Sequence, residues 1–492
     1  MSAEASLGRL KGLAERLHWS GTGKLITRTA GFNMLATMAS GLGSVIIARA
    51  LGPIGRGEYA ALMAWFGISC MVGQMGLPAA LCFYVAKDPQ RARDYVATSR
   101  AMMLATGTLT FIAGLLLAPV LSRGNPEIAD DYRIAFGISI VTYVGIAYTY
   151  SLQPRHLLRW NVVRTIQPAL ALLILCILWF LKLLTLNTAL FILAATLTLQ
   201  LGWAYWYCRR NALAPGHARI SLLRPLAAYG IVQIAALTPA TLNAQLDQLV
   251  LSQTVAPADL GRYAIAVSLT YLPMPLVAAI GNVAFPRLAA QQAVTDATRR
   301  MQRYAIVASA GIAAAMLVPL AVVAYWLIPF LFGAGYRGAV PLLWILTPGA
   351  IFLSCGQVAG DLLRGRNHPA VVAWAQGLAA IFTVAMLIAL LPIIGVYGAA
   401  IASTVAYGVA LATMLRSLRH LPRHTDRRSI QLKRQIVRRR GRCVVSETAS
   451  SATSDGPSRP KPGLAQLVRA TRRHYSGQRR KDSAAGLSQR AG

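Results

Sequence analysis

Asp247 is the residue of this chain best placed to do chemistry. Of sixteen acidic residues among 492, most fall in loops, near the chain ends or in the C-terminal tail. Glu58 and Asp361 stand at the ends of apolar stretches, whereas Asp247 lies about one helical turn inside one. A carboxyl group surrounded by hydrocarbon is costly unless something binds it. Its chemistry would therefore be reversible: uptake of a proton or a sodium ion, or a salt-bridge gate. A permanent ion pair with an arginine from the other half of the chain is the structural alternative.

Basic and amide groups suggest a second kind of chemistry, the non-covalent holding of an anionic, hydroxyl-bearing ligand. Arg28 and Arg49 flank the first apolar stretch, and a guanidinium pairs with phosphate through two parallel hydrogen bonds. The competing reading has each arginine reaching along the membrane to lipid headgroups. Asn33, Gln74, Asn243 and Gln357 could bond ligand hydroxyls, although bonds between helices account equally well for Gln74 and Gln357.

Bond-making catalysis finds no support. The seven histidines show no HExxH spacing, and Gly21-Thr22-Gly23-Lys24 lacks the spacing of a nucleotide-binding loop. Cys70, Cys82, Cys176, Cys208, Cys355 and Cys443 form neither a disulfide framework nor a CxxC metal pair. No loop on the outer side is long enough for a catalytic domain. The chain reads as a non-enzyme that needs no metal or cofactor.

Long apolar stretches must position these groups. Residues 26–50, 58–84, 97–120, 132–152, 162–181 and 185–207 form one series of membrane-spanning length, and 226–251, 261–285, 304–328, 339–361, 370–392 and 395–415 form a second. A composition of 55% apolar and 13% charged residues, with a mean hydropathy of +0.50, agrees. The expected fold is an all-α polytopic membrane protein of twelve spans. Its divisions are an amphipathic surface segment at 1–24, a six-helix bundle at 25–208, a linker at 209–225, a second bundle at 226–417 and a basic tail at 418–492.

Basic residues set the orientation, because Lys and Arg are retained on the cytoplasmic side. Lys87, Arg91, Arg93, Arg100, Arg155, Arg159, Arg164, Arg209, Arg210, Arg219, Arg224, Arg287, Arg299, Arg300, Arg303, Arg364 and Arg366 fall on one set of alternate loops. The other set holds little beyond Arg56, Arg123, Lys182, Arg262 and Arg337. Both chain ends are therefore expected in the cytoplasm.

The net charge of +33 does not point to nucleic acid. From His420 onward, eighteen Lys or Arg meet only Asp426, Glu447, Asp455 and Asp482, so about fourteen net positive charges sit in the tail. Such a segment is expected to be disordered and to lie on anionic lipid headgroups. A protein partner is the alternative.

The two series repeat. An offset of 204 residues aligns Pro53 with Pro257, Gly57 with Gly261, Tyr59 with Tyr263 and Ala60 with Ala264. Six spans per half give both halves the same orientation, with a pseudo-two-fold axis along the membrane normal. Two bundles so related enclose a central cavity. Thr29, Asn33, Thr37, Ser40 and Ser44 mark one face of the first span as a cavity wall. In the seventh, Asn243 and Asp247 share a face expected to line water, with Pro239 interrupting the backbone ladder.

The segments IIARALGPIGRGEYAAL, LNAQLDQLVLSQTVAPADLGRYAIAVSL and IIGVYGAAIASTVAYG, in that order within residues 25–417, resemble polysaccharide flippases of the multidrug/oligosaccharidyl-lipid/polysaccharide (MOP) exporter superfamily. The resemblance implies transfer of a polyprenyl-diphosphate-linked oligosaccharide from the cytoplasmic to the outer leaflet of the plasma (inner) membrane by alternating access. It also implies cell-surface polysaccharide export, driven by a proton or sodium gradient or by downstream consumption, with polymerase or export proteins as partners. A cation-coupled multidrug exporter of the same superfamily would be expected to carry acids deep in its cavity, where the first span offers Asn33. A flippase for a lipid-linked peptidoglycan precursor is expected to have two further spans.

Overall fold

The computed structural model describes residues 21–281, 296–366 and 368–420. The N-terminal surface segment and the basic tail expected from the sequence fall almost wholly outside these ranges. The described chain is almost entirely helical: α1 (Gly21–Gly73), α2 (Leu77–Lys87), α3 (Ala92–Leu121), α4 (Pro126–Leu152), α5 (Leu157–Phe180), α6 (Leu186–Arg210), α7 (Ile220–Thr254), α8 (Pro257–Thr270), α9 (Asp296–Phe332), α10 (Ala339–Gly365), α11 (Pro369–Ile394) and α12 (Val396–His420). Among the described residues, nine helices are long and apolar enough to cross a membrane, and eleven if each of two bent pairs counts as one span.

Local sequence explains where helices start. Pro126, Pro257 and Pro369 open α4, α8 and α11, where a missing N–H costs nothing. Asn125 caps α4 by accepting from the Glu127 backbone, and Thr185 and Thr188 cap α6 reciprocally.

Local sequence also explains the breaks. The expected loop between the first two spans is only a break inside α1: Gly52 adopts φ 67° and ψ −177°, and Pro53 restarts the helix at once. The second span is divided again at Met75 and Gly76, both at positive φ. In α7 the limbs Ile220–Ala235 and Thr238–Thr254 meet at 57°, beside Pro239. Helix α8 is followed, at a 42° bend, by the short helix Met274–Gly281.

Helices α1 to α6 pack on one another, and α7 to α12 do likewise. The first bundle is cored by Leu77, Leu81, Met103, Tyr143 and Leu152, the second by Tyr263, Ile265, Tyr336, Leu343 and Ala399. Contacts between the bundles run mainly through α1 against α7 and α8, and α2 against the first limb of α7. The large exposed apolar side chains, such as Leu116, Phe180, Val322 and Ile388, suit a hydrocarbon surround.

Gly76 has two reasons to lack a side chain. Its φ of 63° is unfavourable for L-residues, and a Cβ would overlap the Gly230 carbonyl on α7. Gly76→Ala is expected to cost about 2–4 kcal/mol, from the left-handed backbone plus overpacking. The check is a lowered melting temperature of the detergent-solubilised protein, with Gly41→Ala, where the added carbon meets nothing within 4 Å, as the control that should not melt earlier.

Candidate functional site

Beside the Gly52 break of α1 lies an open-sided cavity of about 310 Å³, walled mainly by the first bundle. Ser40, Ser44, Arg56 and Tyr59 from α1 line it, with Gln167 from α5 and Gln248 from α7. The Gly52 break builds its cationic wall. Pro53 restarts the helix, and Arg56 folds back over the preceding limb, where its Nη2 donates to Ser44 Oγ at 3.1 Å. The guanidinium lies 5.5 Å from the centre of the Tyr59 ring. It is only 8% exposed, and its Nε has no hydrogen-bond partner. None of the five ion pairs among the described residues involves Arg56.

Sequence reasoning counted Arg56 as one of a few loop arginines and missed this role. The missed signal was Pro53. A proline there can open a helix as readily as sit in a loop, which places Arg56 within the first helical turn.

Asp247 is buried inside the second bundle, 2% exposed. Tyr263 of α8 donates its hydroxyl to Oδ2 at 2.5 Å, and Ser403 of α12 donates to the same oxygen at 3.0 Å. The backbone N–H of Gln248 donates to Oδ1 at 2.7 Å. The ion pair with an arginine is not formed among the described residues. Hydroxyls both donate and accept, so this cage can hold a carboxylate, its protonated form or a bound cation by rotating two O–H groups. The offset that aligns Tyr59 with Tyr263 thus puts one tyrosine beside a buried cation and the other on a buried anion.

The expected water-lining face of α7 turns instead into the second bundle. Asn243, 4% exposed, donates to Gln376 Oε1 at 3.1 Å and accepts from Thr383 at 3.1 Å. Its amide is occupied by α11 rather than presented to the cavity. The bend beside Pro239 lets the second limb of α7 pack on α11 while the first limb packs on α2.

The structure does not gather the remaining candidates into one site. Arg28 and Asn33 are exposed on the first limb of α1, where Asn33 accepts from Arg164 Nη1 at 3.4 Å. Arg49 is exposed near Gly52, and Gln74 is half-buried at the Met75 break. Gln357 is exposed beside a small pocket shared with Arg364, Gln376 and Tyr407. Of the polar stripe on α1, Ser40 and Ser44 reach the cavity.

The cavity is shut at the Gly52 end. A Cβ on Gly57 would overlap the Pro257 carbonyl, and one on Gly261 would overlap the Pro53 carbonyl, so the repeat-related glycines bring α1 and α8 into backbone contact. Tyr336 donates to the Ala48 carbonyl at 2.8 Å. Arg123 of the α3–α4 connection donates to the Ser252 and Val255 carbonyls at 2.7 and 2.9 Å, satisfying acceptors at the C-terminal end of α7.

A family model described as polysaccharide biosynthesis protein matches residues 24–292. No curated protein sequence gives a significant match. Among solved structures, an inward-facing multidrug resistance MATE family transporter of the MOP superfamily superposes with a TM-score of 0.63 at 13% identity, covering 77% of this chain and 93% of that one. The lipid II flippase MurJ, in an inward closed conformation, gives 0.63 at 12% identity, covering 80% and 88%. An outward-facing MATE family transporter gives 0.56 at 15% identity, covering 80% and 94%. These likenesses concern the fold.

Proposed function

The chain belongs to the polysaccharide biosynthesis protein family, and from that premise we propose that it flips a polyprenyl-diphosphate-linked oligosaccharide from the cytoplasmic to the outer leaflet of the plasma membrane. The observation that carries this reading is the composition of the cavity wall. It holds an unpaired guanidinium, hydroxyls and amides, and no carboxylate among its lining residues. That set attracts a phosphate ester and bonds sugar hydroxyls, whereas a cationic drug would meet repulsion.

In this reading α1 supplies two spans divided at Gly52, and the chain crosses the bilayer twelve times with both ends in the cytoplasm. The Gly52 end, poor in basic residues, faces outward. The Gly57–Gly261 contact closes that end. Arg28 and Asn33 stand at the cytoplasmic mouth, where the diphosphate first meets protein. The prenyl chain stays in lipid, because only the headgroup pays heavily for crossing hydrocarbon. Asp247 is the coupling group, charged or neutralised by a proton or sodium ion as the bundles rock. The basic tail holds anionic headgroups on the cytoplasmic face.

Ligand-dependent melting tests the substrate class. A polyprenyl-diphosphate oligosaccharide at about a hundred times its dissociation constant should stabilise the purified protein by about 2.7 kcal/mol, and a cationic dye should not. Stabilisation by the dye alone would assign the cavity to drug export. A response only to a peptide-bearing glycan would assign it to a cell-wall precursor.

A further inference from the structure

Arg56 has the geometry of a binding group. The guanidinium is more than nine-tenths buried and forms a wall of the cavity. Among the described residues Ser44 is its one hydrogen-bonding side chain, and its Nε is without a partner. Glu58, two residues on, points to another face of the helix. A charge so placed is strongly unfavourable unless an opposite charge joins it.

The rest of the wall says what that charge belongs to. Ser40 and Ser44 offer hydroxyls, Gln167 and Gln248 offer amides, and Tyr59 offers a ring face. A volume of about 310 Å³ is at the small end for ligand pockets. It suits a diphosphate with the first sugar, not a whole oligosaccharide. From Arg28 to Ser44 is sixteen residues of helix, or roughly 24 Å at 1.5 Å per residue. Arg28 and Ser44, the hydroxyl partner of Arg56, therefore lie on the same limb of α1, separated by most of a bilayer core.

We infer that Arg56, with Ser44, Gln167 and Gln248, forms a second diphosphate-binding station near the outer leaflet, to which the substrate's phosphates pass after contact with Arg28. The inference rests on the flippase reading and adds a receiving site to it. Phosphate charge is drawn along α1 toward a guanidinium that no carboxylate pairs among the described residues. It is released when the Gly57–Gly261 contact parts and water reaches the site.

The test measures binding of a polyprenyl diphosphate, the matching uncharged polyprenol and phosphatidylglycerol to the full chain in nanodiscs. Wild type is expected to prefer the diphosphate over the other two. Arg56→Gln should weaken diphosphate binding by about tenfold to a hundredfold, the range for a charged hydrogen-bonded contact, and leave polyprenol binding unchanged. Arg56→Lys should recover part of the loss. Without ligand, Arg56→Gln should melt no lower than wild type, because an unpaired buried charge has been removed. Ser44→Ala should give a smaller loss of the same kind.

If wild type shows the preference and Arg56→Gln keeps it, the station is wrong and the flippase reading survives. No preference in wild type would overturn both. Phosphatidylglycerol binding as tight as the diphosphate would make this a general lipid-headgroup site and also overturn the proposal. Equal loss of polyprenol binding in Arg56→Gln, with a lowered melting temperature, would reduce Arg56 to a structural residue.

Discussion

Asp247→Asn is expected to abolish gradient-driven transport, lowering the rate by at least about tenfold, while the protein still inserts and folds. The substitution preserves shape and removes the charge. Tyr263 and Ser403 both donate to Oδ2, and the Gln248 N–H donates to Oδ1. An asparagine can satisfy the two hydroxyls with its carbonyl oxygen, but its NH₂ then faces the Gln248 N–H. One poorly satisfied buried contact costs about 1–3 kcal/mol, small enough to leave a folded membrane protein. What disappears is the ability to exchange a proton or sodium ion. Transport into proteoliposomes under imposed proton and sodium gradients, applied separately, would identify the ion in wild type and read the loss in the variant. Wild-type transport by Asp247→Asn would end its role as the coupling group, leaving the cage as a structural link between α7, α8 and α12.

Gly57→Val is expected to be the most damaging change at the closed end. The added carbons point into the Pro257 carbonyl. This obstacle is backbone, not the far end of a flexible side chain. Overpacking on this scale costs about 1–3 kcal/mol, and here it also forces apart the α1–α8 contact that shuts the cavity. Gly57→Val should melt lower than wild type and transport at under a tenth of its rate. A thiol reagent applied from outside should reach a cysteine placed at Gln248 faster in the variant than in the otherwise wild-type background. Equal labelling and unchanged transport would mean that the Gly57–Gly261 crossing does not seal the protein. Gly261→Val, which meets the Pro53 carbonyl, should reproduce the phenotype.

Much of this arrangement was legible in the sequence because the bilayer imposes it. Apolar runs of fixed length marked the helices, and the aligned Gly57 and Gly261 turned out to be the pair whose backbones meet. Asp247 stood out because carboxyls inside apolar stretches are rare, and that argument does not depend on tertiary contacts. What escaped depended on contacts distant in sequence. Asn243 and Asp247 were correctly put on one face of α7, but periodicity cannot say whether a polar face meets water or hydroxyls and amides from α8, α11 and α12. Arg56 was obscured by LGPIG, which reads as a loop. A single glycine conformation at Gly52 lets the helix restart and swings the arginine inward.

Transbilayer movement is the direct measure of the central claim. The purified protein would be placed in proteoliposomes with a fluorescent polyprenyl-diphosphate oligosaccharide, and movement scored by access of an external glycan-modifying enzyme. The account predicts movement faster than in protein-free vesicles, stimulated by an ion gradient and diminished in both Asp247→Asn and Arg56→Gln. Folded protein that gives no acceleration with any of several carriers under a gradient, yet expels a cationic dye, would contradict it.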